Sequence, residues 1–151
     1  MLGGVVFGSL LVSAVAAITA GVLVQRTNKE KTFPYKLHYG MSCNLPANKH
    51  RDRDVVFAFN RLAELGLPVS KLKKLFNETR LNIVFPTEDE LYVKMGSGKA
   101  AGWVDKSTGT VFVVEGKRGL AALAHEMFHM YLMKYYGSYD IGHKDTKWKS
   151  L

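Results

Sequence analysis

Apolar and polar positions along the chain fall into three regimes. From Leu2 to Val24 no residue carries a charge, and the run is long enough for one membrane-spanning helix, which needs about 20 residues. From Gln25 to about His50 the chain is polar, carries Pro34 and Pro46, and shows no sustained period, so it reads as a linker. Beyond it the spacing becomes helical: Val55, Val56, Phe59, Leu62 and Ala63 form one stripe, with Asp52 or Asp54 as the cap and Gly66 as the stop. A second short helix follows from Ser70 as cap, with Leu72, Leu75 and Phe76 inward. The pattern then turns to strands at 81–85, 91–95, 102–105 and 110–115, with a hairpin turn over 106–109. The last element is the longest helix of the soluble part, Gly119 to Tyr136, with Gly137 placed as its C-terminal cap.

Charge adds a topology. The formal net charge is +8, all of it outside the uncharged N-terminal run, and Arg26, Lys29, Lys31 and Lys36 follow that run directly. The positive-inside rule then puts the C-terminal domain in the cytoplasm, beside the bilayer. A cleavable signal peptide is the alternative, with Ala14-Val15-Ala16 as its cleavage site and a secreted domain as its consequence. A basic domain can meet anionic headgroups or nucleic acid, but no dense basic stripe with interleaved aromatics supports the latter. Cys43 is the single cysteine, which excludes an internal disulfide. Gly96-Ser97-Gly98-Lys99 is a turn and not a phosphate loop, because Val93 and Ala100 stand where that motif needs glycine and a hydroxyl.

The candidate chemistry lies in the last helix, at His125-Glu126-Met127-Phe128-His129. Residues i and i+4 lie one turn apart on one face, so His125 and His129 can grip a single ion. Glu126 can reach a water on that ion without occupying a ligand position, as a general base does. Zinc is the expected ion, since it lowers the pKa of its water to about 7. The surrounding Ala121, Ala122, Leu123, Ala124, Met127, Phe128, Met130 and Leu132 predict burial nearly all round, where ionisable groups need partners. A catalytic site needs a third protein ligand. Asp140, His143 and Asp145 are the downstream candidates, His143 the strongest, while His38 and His50 sit in the linker region.

Together with Gly142-His143 and Trp148, the segment from His125 to Leu132 resembles the SprT-like zinc metallopeptidases. The resemblance covers about the last 40 residues, and it departs at Lys144, where that family usually has glycine. It implies His125, His129 and His143 as zinc ligands, Glu126 as the catalytic base and a protein or peptide substrate. The expected architecture is α+β: a minimal zincin-like domain over 51–151, a small sheet packed on the HExxH helix, behind a linker (25–50) and a transmembrane helix (2–24). A substrate strand is expected to add to a sheet edge at 110–115. Tyr131, Tyr135, Tyr136, Tyr139 and Lys144 are candidates for stabilising an oxyanion. The DNA-associated role of several family members is not carried over to a chain expected to be membrane-anchored and without an added DNA-binding module. The competing reading is a membrane-anchored, non-catalytic zinc module for binding or interaction.

Overall fold

The structure, a computed structural model, describes residues 32–85, 101–115 and 119–151, and the side chains of 119–121 are left undescribed. The segment expected to span a membrane, the strand at 91–95 and the turn after it lie outside these residues. Among the described residues no helix is long and apolar enough to cross a membrane.

Residues 33–151 form one compact unit, α+β in class, whose described residues include a mixed five-stranded sheet and three α-helices. The strands are β1 (Tyr35–Lys36), β2 (Ser42–Cys43), β3 (Arg80–Val84), β4 (Gly102–Asp105) and β5 (Thr110–Val114), in spatial order β1-β2-β3-β5-β4. β2, β3 and β5 run parallel, while β1 and β4 pair antiparallel with their neighbours. The helices are α1 (Lys49–Glu64), α2 (Val69–Glu78) and α3 (Gly119–Tyr136).

Each helix buries the stripe that its spacing dictates. Val55, Ala58, Phe59 and Leu62 of α1, and Leu72, Leu75 and Phe76 of α2, enter the core. From α3 come Leu123, Ala124, Met127, Phe128, Tyr131 and Leu132. Leu81 and Ile83 of β3 and Val111 and Val113 of β5 complete the same cluster. On the opposite face of β5, Phe112 stacks on its cross-strand partner Trp103, with centroids 4.8 Å apart. α3 is in contact with α1, β4 and β5, and so holds the motif helix against the end of the sheet that carries β4.

The structure departs from the sequence expectations at four places. Residues 33–48 are not a linker: they supply β1 and β2 and bury Leu37, Met41 and Cys43. The cap of α1 is Asn48, whose side chain accepts from the Arg51 N–H at 2.8 Å. Asp52 instead accepts the His38 N–H at 2.8 Å, tying the short 3-10 turn His38–Gly40 to α1. α2 starts from Pro68 with no side-chain cap, and Ser70 lies inside the helix. Finally, 110–115 is no sheet edge. β5 is an interior strand paired with β3 on one side and β4 on the other, and β4 is the end strand among the described residues.

Close packing of α3 on that end strand depends on Gly102. A Cβ there would lie 3.0 Å from Glu126 Cγ, 3.0 Å from the Phe112 carbonyl oxygen and 3.3 Å from Ala122 Cβ. The absence of a side chain on β4 is what lets the Glu126 stem lie against the strand.

Candidate metal centre

α3 places His125 and His129 one turn apart, and their Nε2 atoms are 3.2 Å from each other. Gly137 ends the helix at φ +74°, its N–H donating to the Met133 carbonyl at 3.0 Å. The chain then returns through Tyr139 and Asp140 and delivers His143, with Nε2 3.3 Å from Nε2 of His129. Three ligand atoms, one from each histidine, lie within 4.8 Å of one another. Among the described residues this is the one group of three or more such side chains able to hold a metal ion.

Proton bookkeeping at His129 leaves a lone pair that a cation could use. Its Nδ1 meets the backbone carbonyl of Tyr139, which can only accept, so Nδ1 carries the proton. The Nε2 of a neutral His129 is then a bare lone pair facing both neighbouring imidazoles. That carbonyl bond also fixes the tautomer and orients the ring, as the outer partner of a metal-ligating histidine does. The two distances to His129, 3.2 and 3.3 Å, are close to the ~3.3–3.4 Å that bonds of about 2.0–2.1 Å in tetrahedral geometry set between neighbouring nitrogens; His125 and His143 are held to each other only within 4.8 Å. Burial, and then the neighbouring His129 and His143, push His125 down to about 4. Burial pushes His129 down as well, against the Tyr139 carbonyl. Both rings therefore stay neutral at physiological pH, with nitrogen lone pairs available to a cation.

Glu126 is 8% exposed and is pushed up to about 7, with burial as the cause. The consequence for stability has a definite sign. With a folded pKa above its usual 4.5, Glu126 stabilises the metal-free fold most below about pH 4.5, and this contribution is lost as pH rises to about 7. At about 1.4 kcal/mol per unit, the loss is about 3 kcal/mol. Urea denaturation of metal-free wild type and Glu126→Gln should show the variant gaining about that much on the wild type between pH 4 and pH 8. Parallel pH profiles would contradict this reading of Glu126.

The acidic candidates are engaged elsewhere. Asp140 is not among the grouped side chains; its carboxylate accepts the N–H groups of Lys144 at 3.0 Å and Asp145 at 2.9 Å, and the Trp148 indole N–H at 2.7 Å. Asp145 caps the closing 3-10 turn Thr146–Ser150, accepting from the Lys147 N–H. His38 and His50 are exposed and outside the group. Tyr135 donates its hydroxyl to the Lys71 carbonyl at 3.2 Å, and Tyr136 is largely exposed.

Two contributors were not singled out from the sequence for their local roles. Trp148 was noted only as a family-like aromatic, yet its ring centroid lies 4.7, 4.4 and 4.5 Å from those of His125, His129 and His143. It also packs on Phe128. Lys106, in the turn after β4, stands 6.0 Å from the Tyr139 ring and opposes protonation of His129. Its place in the β4–β5 hairpin was legible; its nearness to α3 depends on tertiary packing.

No family model, curated protein or solved structure is significantly similar to this chain.

Proposed function

We propose that this chain is a zinc-dependent metallopeptidase with a minimal zincin-like domain, similar in its site to the SprT-like enzymes. The observation that carries the reading is the convergence of three imidazoles, two of them from the helix that also carries a buried carboxylate. Three histidines leave one position of a tetrahedral site open, as hydrolysis requires. His125, His129 and His143 would hold the ion, which when bound polarises a carbonyl and makes water more acidic.

The other steps belong to the chain itself. A peptide bound beside α3 would be held through backbone hydrogen bonds to the sheet. Glu126 accepts a proton from the attacking water and passes it to the leaving amine. Its raised pKa suits both halves of that transfer near neutral pH. The uncharged segment at 2–24 tethers the domain to a membrane, with the basic cluster after it holding the domain on the cytoplasmic side. Substrates are then proteins or peptides that reach that surface.

The test is hydrolysis of an unstructured protein by the full chain before and after dialysis against a chelator. Cleavage should vanish with the metal and return with one equivalent of zinc. Cleavage that survives chelation would overturn the proposal. Zinc binding without any cleavage would favour the non-catalytic zinc module instead.

A further inference from the structure

Two of the three candidate ligands are fixed by a helix, but His143 sits in a loop of its own. That loop is organised around one carboxylate. The Asp140 carbonyl accepts the His143 N–H at 2.9 Å, closing a tight turn across Ile141 and Gly142. One oxygen of its side chain takes the Lys144 N–H at 3.0 Å; the other takes the Asp145 N–H at 2.9 Å and the Trp148 indole at 2.7 Å. Asp140 therefore bonds the chain at His143, at the next two residues and at the aromatic ring that lies against all three histidines. The conformation is demanding as well. Asp140 and His143 both occupy the left-handed region, at φ 50° and 49°, which aspartate tolerates better than most side chains.

We infer that Asp140 is a positioning residue, whose carboxylate wraps residues 143–148 so that His143 reaches the metal with Trp148 packed against it. This rests on the zinc reading of the site but goes beyond it, because Asp140 hydrogen-bonds no imidazole and stands outside the grouped ligand atoms. The sequence offers Asp140 as a rival to His143 for the ion; the geometry makes it the support of His143. Because both carboxylate oxygens accept N–H donors, an amide of the same size should substitute only in part. The NH₂ of asparagine would face an N–H donor at one side or the other.

The experiment is a zinc titration against a competing chromophoric chelator for wild type, Asp140→Ala, Asp140→Asn, His143→Ala and the double variant Asp140→Ala/His143→Ala. Thermal melts of the metal-free proteins run alongside. Asp140→Ala should weaken zinc about 10–100-fold, the range expected for losing the support of a ligand. Asp140→Asn should fall between it and wild type, and serves alone if the alanine variant does not fold. In the His143→Ala background, Asp140→Ala should cost no more than about twofold, because its effect passes through the ligand already removed. A merely structural role would lower the melting temperature and leave the same zinc loss in both backgrounds. Wild-type affinity in both Asp140 variants, or an equal loss with and without His143, would overturn the inference while leaving the zinc reading intact. A wild-type protein that binds no zinc would overturn both.

Discussion

Glu126→Gln should reduce peptide hydrolysis by about 10²–10⁴-fold, the usual contribution of a positioned acid–base group. Its zinc content should stay the same. The substitution keeps the size and shape of a side chain that is 8% exposed and that lies against the strand at Gly102, so packing is disturbed little. What it removes is the ability to take up a proton. The buried carboxyl, raised to about 7, changes protonation state where a proton must be accepted and then returned. Metal retention is expected because the grouped ligand atoms come from the three histidines alone. Turnover of a defined peptide and metal content per chain, measured on one preparation, check both halves. Equal turnover by wild type and variant would remove Glu126 from the chemistry.

Replacing His129 should do the opposite, abolishing the metal and with it the stability that the metal confers. Zinc at about 100 times its dissociation constant should stabilise the wild-type fold by about 2.7 kcal/mol. His129→Ala should show no zinc-dependent gain. Its Nε2 stands 3.2 and 3.3 Å from the other two imidazoles, so it is the nitrogen that both partners share. Its Nδ1 also fastens α3 to the returning chain at Tyr139, so the same substitution loosens the loop that carries His143. Denaturation midpoints with and without zinc give the measurement. An unchanged zinc response in His129→Ala would place the ion elsewhere.

The site was more legible than its frame. The i, i+4 spacing of His125 and His129 and the glycine at 137 fix the helix, its face and its end, because these depend on local periodicity and capping. His143 was reachable from the sequence, since a chain that turns at Gly137 can bring a histidine back over the helix within a few residues. The strands at 80–84, 102–105 and 110–114 were visible as short apolar or β-branched runs. Their order was not. β5 lies inside the sheet through its parallel register with β3, Arg80 opposite Thr110 through Val84 opposite Val114, and no local signal encodes that pairing.

Short elements were hidden for a different reason. β1 and β2 have two residues each, too few to show alternation, and Pro34 and Pro46 flank them like linker residues. Burial of Leu37, Met41 and Cys43 gives them away only in three dimensions. The start of α1 was read late because the apolar stripe begins at Val55, whereas the helix has already made a polar turn from Lys49 under the Asn48 cap. Asp140 stood beside His143 and Asp145 as a downstream candidate, with His143 the strongest. Its left-handed backbone and the three N–H donors on its carboxylate, from Lys144, Asp145 and Trp148, are visible only in three dimensions.

The central claim is that His125, His129 and His143 bind one zinc ion with a position left open. X-ray absorption at the zinc edge of the one-equivalent complex tests it most directly. Three imidazole nitrogens at about 2.0–2.1 Å with one further light-atom ligand are expected, falling to two imidazoles in His143→Ala. A shell of six oxygens, or a spectrum unchanged by removing His143, would contradict it.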